Sequence, residues 1–321
     1  MNDPSLWYVT TGEAGFRTQA RGLAQALAAS PRELVVGLRA PWDRVPAAWL
    51  PDPLRRLDPA RDRPTPPWPD ILVTCGRRTA AVSMAIRRAS RGATFTAHIQ
   101  DPLAPASRFD LVIAMAHDPI EGPNVIKVAT ALHDVTPRRL AAAADLWRAR
   151  TPPGDGPLAG VLLGGPTRRR GFAQADALRD ALVRLRTSGT RLYIVPSRRT
   201  PDAMIADLGG AFAGDPGVLV WDRTGDNPYV GVLAVADRLV VTSDSVSMIS
   251  EALATPHPVE VFGAPQNSRH AGFLDTLVAR GAIALFSGGP PPPRIGGPVD
   301  ATADAAQAVR TRLAARTGAS G

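Results

Sequence analysis

Four small polar side chains separate a predicted strand from a predicted helix: Ser243, Asp244, Ser245 and Ser247. The apolar run at residues 239–241 is typical of a strand covered on both faces, and the apolar stripe over residues 248–253 indicates a helix. Side-chain oxygens at such a junction cap the helix, and the remaining amides can bind an anion such as a diphosphate. Glu251 lies one turn beyond Ser247, within reach of a hydroxyl held at the helix start. Capping alone also explains the pattern.

Glycine and arginine residues follow two other predicted strands of the same half of the chain. Gly164 and Gly165 come directly after one strand-like run, and Ser197 with Arg198 comes directly after the next. A guanidinium group presents paired donors to a phosphate and keeps its charge. Because ligands of open α/β sheets bind beyond the carboxyl ends of the strands, these turns favour an anion site over capping alone.

Polar residues also follow predicted strands in the first half of the chain. Asp101 ends one strand-like run, and His117 with Asp118 ends the next. Such residues often satisfy local backbone groups, so a structural role and a chemical role are both consistent with the sequence. Arg77 and Arg78 open a predicted helix, where their charge opposes the helix dipole. An anionic ligand and a solvated surface each explain this pair.

A pattern of strand, glycine turn and helix occurs in both halves of the chain, which predicts two Rossmann-like domains facing each other. The Pro/Gly cluster at residues 151–157 stands between a predicted helix and a new strand and indicates a linker. We therefore expect an N-terminal domain at residues 1–150 and a C-terminal domain at residues 151–299. The last segment, residues 300–321, predicts a helix and tail that return to the N-terminal domain.

The composition is that of a water-soluble globular protein of the α/β class. The 321 residues are 45% hydrophobic and 21% charged, with a net charge of +8. The arginines form no tract, Lys127 is the single lysine and aromatic residues make up 5%, which argues against nucleic-acid binding. A basic surface could still attract anionic ligands or an anionic membrane surface.

The cysteine content and the length of the apolar runs indicate the cellular compartment of the protein. Cys75 is the only cysteine, so no internal disulfide can form, and no Cys/His cluster near it indicates a metal site. The first residues lack the pattern of a signal peptide, and no apolar run approaches the length of a membrane span. We expect a cytoplasmic protein whose membrane role, where it has one, is peripheral and on the inner face.

A series of motifs spans nearly the whole chain: GRRTA, IQDP, FDLVIAMAHD, NVIKVATALHDVTP, LLGGP, PSRRTP, DNPYVGVLAVAD and VTSDSVSMISEA. In this order they resemble the bacterial relatives of the plant mitochondrial-fission "elongated mitochondria" (ELM) family. That family resembles GT-B glycosyltransferases, especially the lipid-linked peptidoglycan N-acetylglucosaminyltransferase type. The resemblance implies a GT-B architecture with a nucleotide-sugar cleft between the two Rossmann-like domains.

The resemblance also implies that the C-terminal domain holds the phosphates of a nucleotide-sugar donor. Gly164 and Gly165 match the glycine loop of those transferases, and Ser197 with Arg198 matches a Ser-Arg pair near the phosphates. The donor is a substrate, so no separate cofactor is implied. The chain has no D-x-D stretch, which agrees with a metal-independent reaction.

The remainder of the donor site is implied by two turns further along the chain. Ser245 and Ser247 match a hydroxyl-rich helix start, and Glu251 matches a glutamate that binds the ribose. Gln266 and Asn267 match the segment that contacts the sugar. These are the same strand ends and helix starts that the residue pattern favours for an anion.

The chain departs from those transferases in the first glycine-rich loop. They carry a histidine where this chain has Phe16 after Gly15. A general base must accept a proton from the acceptor hydroxyl, and phenylalanine cannot do so. Catalysis would then require Asp101, His117 or Asp118 in that role.

The sequence thus supports two hypotheses of different classes. The first is an inverting, metal-independent glycosyltransferase that uses a nucleotide-diphosphate sugar and an acceptor such as a cell-envelope glycan or lipid precursor. The second is a non-catalytic adaptor or ligand-binding protein on the same fold, which Phe16 favours. A sugar-nucleotide epimerase is disfavoured because the first glycine loop lacks the dinucleotide fingerprint and the single lysine leaves no Tyr-x-x-x-Lys pair.

Overall fold

The computed structural model of the protein describes residues 4–165, 174–265, 267–291, 293 and 296–318. The chain forms two compact units. Unit 1 contains Met1–Asp134 and Asp300–Gly321, and unit 2 contains Val135–Val299. Each unit is a parallel sheet with helices, which confirms the predicted α/β class.

Strands and α-helices are interspersed along the chain. The strands are β1 (Leu6–Thr10), β2 (Arg32–Val35), β3 (Ile71–Cys75), β4 (Phe95–Ile99), β5 (Leu111–Met115), β6 (Val125–Val128), β7 (Leu158–Leu163), β8 (Arg191–Pro196), β9 (Val218–Val220), β10 (Arg238–Thr242), β11 (Val259–Phe262) and β12 (Ala284–Leu285). The helices are α1 (Ala14–Leu27), α2 (Arg77–Ala89), α3 (Pro137–Trp147), α4 (Ala175–Thr187), α5 (Asp202–Ala211), α6 (Tyr229–Val235), α7 (Val246–Leu253), α8 (Ser268–Ala279) and α9 (Ala301–Gly318).

Unit 1 is built on a six-stranded sheet in the order β2-β1-β3-β4-β5-β6. All of its neighbouring strands are parallel. Every residue of β1, β3 and β4 is buried, as expected for strands that helices cover on both faces. The order reverses between β1 and β3, so a topological switch point lies at the carboxyl ends of these two strands.

The last helix, α9, packs in unit 1. Its residues Ala305 and Val309 belong to the same buried cluster as Leu23 of α1. Thr302 also joins the helix to the segment that contains His133. Its hydroxyl donates to the carbonyl of His133 at 2.8 Å and accepts from the His133 amide at 2.9 Å. The helix therefore completes the core of unit 1, although all of unit 2 precedes it in the chain.

A long excursion between β2 and β3 contains only short 3₁₀ turns among the described residues: Trp42–Arg44, Ala47–Trp49 and Pro53–Arg56. The guanidinium of Arg56 lies 4.1 Å from the centre of the Trp42 ring, which ties two of the turns together. Leu57 is buried and packs in the cluster formed around β1 and α2. The excursion thus has defined contacts with the sheet and helix beside it.

Unit 2 has a six-stranded parallel sheet in the order β12-β11-β10-β7-β8-β9. Its core is a cluster of apolar residues from β7, β8, α4 and α5. This strand order is that of a nucleotide-binding Rossmann sheet, and it reverses between β7 and β10. The carboxyl ends of these two strands form the switch point of unit 2.

Helix α3 belongs to unit 2, whereas the sequence predicts a boundary after residue 150. Trp147 gives the physical reason. Its ring lies 6.5 Å from the ring of Tyr193 on β8, and a Cβ atom on Gly231 of α6 would lie within 2.2 Å of the indole. The Pro/Gly cluster at residues 151–157 is therefore a turn inside unit 2, and the boundary lies between Asp134 and Val135.

Candidate functional site

The switch point of unit 2 brings the glycine turn after β7 beside the hydroxyl-rich turn after β10. The strands pair Leu162 with Val241, so both turns leave the same edge of the sheet. The amide of Gly164 donates to the Thr242 hydroxyl at 2.7 Å, and the amide of Gly165 donates to Asp244 Oδ2 at 2.5 Å. These bonds join the two turns that the sequence predicts for an anion site.

Glycine is required at both positions of the turn after β7. A Cβ atom at Gly164 would lie 2.2 Å from Asp244 Oδ2, and one at Gly165 would lie 2.1 Å from the carbonyl oxygen of Arg199. The second contact is with backbone, which cannot move aside as a side chain can. Close packing of three turns therefore explains this pair of glycines.

The turn after β8 forms the third wall of the site. The Ser197 hydroxyl donates to the Gly164 carbonyl at 3.0 Å, and the Thr200 hydroxyl donates to the Leu163 carbonyl at 2.9 Å. Arg199 reaches across, with Nη1 donating to the Gly165 carbonyl at 3.2 Å. The structure thus collects the turns after β7, β8 and β10 into one hydrogen-bonded group.

The Asp244 carboxylate lies at the centre of this group and is only partly satisfied. Its side chain is 8% exposed, and Oδ1 is buried and has no hydrogen-bond partner among the residues that the structure describes. Arg199 is a nearby cation, with its Nη2 3.9 Å from Oδ2. A buried carboxylate oxygen without a donor is costly, so its position at a ligand crevice indicates a group that arrives with a ligand.

The helix start after β10 shows both capping and remaining donors. Ser245 Oγ accepts from the Met248 amide at 3.4 Å, which is the N-cap that its residue type predicts. The Ser243 hydroxyl turns the other way and donates to the Ala264 carbonyl at 2.9 Å. Ser247 lies half-buried in the first turn. The capping interpretation therefore holds for Ser245, and it leaves part of the first turn to interact with a ligand.

Glu251 is held by a neighbour that the sequence does not single out. Its carboxylate accepts a hydrogen bond from the Tyr229 hydroxyl of α6, and the residue is 9% exposed. A ribose would therefore meet a glutamate already fixed in position by a tyrosine. The expected contact with ribose stays a prediction.

The two arginines after β8 differ in environment. Arg198, which the resemblance places near phosphates, is exposed and makes no hydrogen bond or ion pair with the residues that the structure describes. Arg199 instead contacts Gly165 and approaches Asp244. The resemblance selects Arg198 of these two adjacent arginines, and its contact with phosphates stays a prediction.

The predicted sugar-contacting turn is described in part. Asn267 is exposed and caps α8, because its Oδ1 accepts from the His270 amide at 2.9 Å. Gln266 lies outside the described residues, as does the arginine-rich stretch at residues 168–170. The predicted contact of Asn267 with a sugar therefore rests on its place after β11 alone.

The predicted base candidates of unit 1 stand in turns at the carboxyl edge of its sheet. Asp101 Oδ1 accepts from the Leu103 amide at 2.8 Å, and Asp118 Oδ2 accepts from the Met115 amide at 3.1 Å. Asp118 is buried, and Lys127 donates to its carbonyl. His117 is half-buried and has contacts of its own. Both aspartates thus serve their own turns, and a catalytic role for any of the three stays a prediction.

Phe16 occupies the switch point of unit 1. Its ring lies against Gly76, where a Cβ atom would meet the aromatic carbons at 3.2 to 3.4 Å. Gly76 has φ 87° and ψ 157°, a conformation that only glycine adopts without strain. A phenyl ring therefore fills the place where unit 2 carries polar groups.

His98 has a strongly lowered pKa. It is fully buried on β4, and its Nδ1 lies 2.7 Å from the Thr74 hydroxyl. Burial lowers the pKa of the imidazole to about 3. The ring also packs on Phe109, with 5.0 Å between ring centres, which assigns His98 to the core of unit 1.

Two further properties concern the described part of the chain. No three His, Cys, Asp or Glu side chains within it lie close enough together to hold a metal ion. None of its helices has the length and apolar character needed to cross a bilayer.

The fold and the turns at its switch points place the protein in the GT-B class of two Rossmann-like α/β units. Residues 14–313 match the family model of Mitochondrial fission ELM1, and the chain belongs to that family. It is 33% identical over 276 residues to the Mitochondrial fission protein ELM1 of Arabidopsis thaliana, which is 77% of this chain and 65% of that protein. The chain thus spans just under two thirds of the length of this relative.

Solved structures support the fold. The chain is similar to UDP-GlcNAc 2-epimerase from Methanocaldococcus jannaschii, with a TM-score of 0.61, 12% identity and coverage of 96% of this chain and 99% of that one. A structure of the M. jannaschii enzyme in complex with UDP-GlcNAc and UDP gives a TM-score of 0.52 at 12% identity, covering 97% and 99%. At such identities the similarity shows the fold alone.

Proposed function

We propose that the switch point of unit 2 binds a nucleotide-diphosphate sugar and that the protein is an inverting, metal-independent glycosyltransferase. One observation carries the proposal. The turns after β7, β8 and β10 converge on Asp244, whose buried Oδ1 has no hydrogen-bond partner in the described part of the chain. A ligand hydroxyl would supply the missing donor, and such a hydroxyl is present on ribose and on sugars.

The residues around Asp244 would bind different parts of the donor. The first turn of α7, with Ser245 and Ser247, would present amide and hydroxyl donors to the diphosphate. Arg198 and Arg199 would balance the negative charge that develops on the leaving diphosphate and offset the charge of Asp244. Glu251, positioned by Tyr229, would accept a ribose hydroxyl.

Other predicted contacts complete the proposed donor site. Ser243 fixes the loop after β11 by its bond to Ala264, and Gln266 and Asn267 follow that loop, where they would contact the sugar. Gly164 and Gly165 keep the three turns close enough for one ligand to touch all of them. The structure of a protein with this fold in complex with UDP-GlcNAc and UDP supports a nucleotide sugar as the ligand class.

The second part of the proposal concerns the acceptor and the general base. The acceptor would be a cell-envelope glycan or lipid precursor, and Asp101, His117 or Asp118 would serve as the general base, since Phe16 cannot. The net charge of +8 would favour a cytoplasmic protein that associates with the anionic inner face of a membrane. The scattered arginines and scarce aromatics give no reason to propose a nucleic-acid partner.

Calorimetric titration with uridine, guanosine, thymidine and cytidine diphosphates and their sugar conjugates tests the proposal. We expect one nucleotide to bind in the micromolar range, with Asp244→Asn and Glu251→Ala each weakening it about tenfold, or about 1.4 kcal/mol. Asp176→Asn is the matched control, because this carboxylate of unit 2 is 85% exposed. Absence of heat with every nucleotide would contradict the proposal.

A non-catalytic adaptor is the second candidate, and a specific observation favours it. Phe16 packs on Gly76 at the switch point of unit 1, where a transferase of the resembling type carries a histidine. The plant relative is named a mitochondrial fission protein, which is no enzyme name. Nucleotide binding without turnover of any sugar conjugate, over a panel of envelope precursors, would favour this candidate over the transferase.

A further inference from the structure

Unit 1 contains a pocket that none of the predicted site residues lines. Its volume is about 290 Å³, near the lower end for ligand pockets. The walls come from the excursion after β2, the start of α2 and the turn after β4: Leu38, Asp43, Arg44, Val45, Pro46, Ala47, Arg77, Arg78, Ala81, Pro102 and Leu103. Three separate segments thus build one concave surface beside the switch point.

The polar lining of the pocket is basic. Arg44, Arg77 and Arg78 face a single lining acid, Asp43, which leaves an excess of positive charge. Arg78 lies 3.8 Å from Glu13, but both side chains are more than half exposed, so this pair is weak. Arg44 and Arg77 form no ion pair with any residue in the described part of the chain. The pocket therefore offers uncompensated guanidinium groups to an anion.

The position of Arg77 and Arg78 on their helix strengthens this point. They occupy the first turn of α2, where cations oppose the helix dipole, and the N-cap residue Gly76 supplies no side-chain cap. Two arginines at this place weaken the isolated helix. An anion in the pocket would interact favourably with both guanidinium groups and with the helix start.

The remaining lining is apolar and extends to exposed side chains at the rim. Leu103 is 54% exposed and has φ 50°, a conformation that leucine rarely adopts, and it stands in the turn beside Pro102. Trp49, in the same 3₁₀ turn as the lining residue Ala47, is 80% exposed. An exposed leucine in the wall of a basic pocket, and an exposed tryptophan in a turn that contributes to that wall, fit a ligand that has an apolar part as well as a charge.

We infer that this pocket binds a single amphiphile with an anionic head group, such as a phosphate monoester, and an apolar chain. The head group would lie against Arg44, Arg77 and Arg78, and the chain would leave over Leu103 and Trp49. The inference does not rest on nucleotide binding by unit 2, because every lining residue belongs to unit 1. The two proposals can therefore fail separately.

Titration with dodecyl phosphate, below the concentration at which it forms micelles, tests the inference. Inorganic phosphate tests the charge alone, and dodecyl maltoside tests the chain alone. We expect dodecyl phosphate to bind at least about tenfold more tightly than either. Equal binding of inorganic phosphate would overturn the amphiphile assignment, and absence of dodecyl phosphate binding would overturn the site.

Variants locate the binding. Arg77→Gln and Arg44→Gln should each weaken dodecyl phosphate about tenfold. Arg88→Gln is the matched control, since Arg88 is an exposed arginine at the other end of α2. Loss of binding in Arg77→Gln cannot come from unfolding of α2, because removal of a cation from the first turn stabilises a helix. Equal weakening by Arg88→Gln would contradict the pocket.

The apolar part of the ligand needs its own variant. Leu103→Asn introduces a residue type that tolerates positive φ and removes the apolar wall. It should therefore weaken the binding of dodecyl phosphate and leave the binding of inorganic phosphate unchanged. Vesicles of phosphatidylcholine and phosphatidylglycerol distinguish a membrane surface from a pocket ligand. Vesicle binding that persists in Arg77→Gln, without binding of monomeric dodecyl phosphate, would overturn the inference.

Discussion

The two switch points of the molecule follow the same topological rule and carry opposite chemistry. In unit 2 the turns after β7 and β10 meet through hydrogen bonds from Gly164 to Thr242 and from Gly165 to Asp244. In unit 1 the corresponding turns after β1 and β3 meet through the Phe16 ring on Gly76. One crevice is lined by donors and a carboxylate, and the other is filled by a phenyl ring.

The difference shows that sheet topology locates a crevice without deciding what it binds. The parallel strands of both units end at an edge where a ligand could enter. The side chains of the first residues after each strand then determine the chemistry, and they differ between the units. The pocket of unit 1 accordingly lies to the side of its switch point, where the excursion after β2 adds Arg44 and Ala47 to the start of α2.

The largest expected effect comes from Gly165→Ala at the unit 2 switch point. The new Cβ would lie 2.1 Å from the Arg199 carbonyl oxygen, so the turns after β7 and β8 must separate. We expect a loss of about 3 kcal/mol in the free energy of unfolding by urea, together with loss of nucleotide binding. Gly209→Ala on α5 is the control, because nothing lies within 4 Å of its Cβ position. A loss below about 1 kcal/mol for Gly165→Ala would show that the turns are not closely packed.

Phe16→Ala tests the filled switch point of unit 1. The half-buried ring packs on Gly76 and on the core beside α9, so its removal should cost about 2 kcal/mol in urea unfolding. Nucleotide affinity should stay within about threefold of the wild-type value, since the proposed donor site lies in unit 2. A Phe16→Ala variant that loses nucleotide binding while folded would break the comparison.

His98, in unit 1, should make the free energy of unfolding depend on pH. Burial holds the pKa of His98 in the folded protein at about 3, whereas the ordinary pKa of histidine is 6.5. Between these two values the unfolded chain binds one proton more than the folded protein, so stability decreases as the pH is lowered from 6.5 towards 3. Relative to pH 7.5, wild-type protein at about pH 5 should lose about 2 kcal/mol more than His98→Gln. Urea unfolding at both pH values measures the difference, and Phe16→Ala, which removes no titratable group, should follow the wild-type pH slope. Parallel pH slopes for wild type and His98→Gln would contradict a neutral buried imidazole.

The smallest predicted effect separates the adjacent arginines of unit 2. Arg199→Gln should weaken nucleoside diphosphate binding about tenfold, because Arg199 lies beside Gly165 and Asp244. Arg198→Gln should change it by less than about threefold, since Arg198, unlike Arg199, makes no hydrogen bond or ion pair with the residues that the structure describes. Titration calorimetry of the two variants gives the comparison directly. The reverse order would show that Arg198 contributes more than Arg199 to diphosphate binding.

The sequence predicted the strands and helices around the unit 2 site because their patterns are local. Three consecutive apolar residues before Ser243 indicated a buried strand, and the hydroxyl of Ser245 indicated the N-cap that the structure contains. The sequence also predicted a helix before the Pro/Gly cluster, but it assigned that helix to the N-terminal domain, whereas the structure places it in unit 2. The Pro/Gly cluster after it is a local signal, whereas the packing of Trp147 on Gly231 joins residues far apart in the chain.

The parts that the sequence did not predict depend on the direction of single side chains or on distant segments. Nothing local distinguishes Arg199 from Arg198, or pairs Tyr229 with Glu251. The basic pocket of unit 1 has walls from three segments, of which only Arg77 and Arg78 carried a signal, their unfavourable place at a helix start. Such sites become visible only when the fold brings their walls together.

Hydrogen–deuterium exchange with and without nucleoside diphosphates tests the central claim most directly, because it reports on both switch points in one experiment. We predict slower exchange of amides in the turns after β7 and β10 and in the first turn of α7, with no change in the turns after β1 and β3. The nucleotide that binds most tightly in calorimetry should give the largest effect. Protection at the turns beside Phe16 and Gly76, or no protection at any turn of unit 2, would contradict the account.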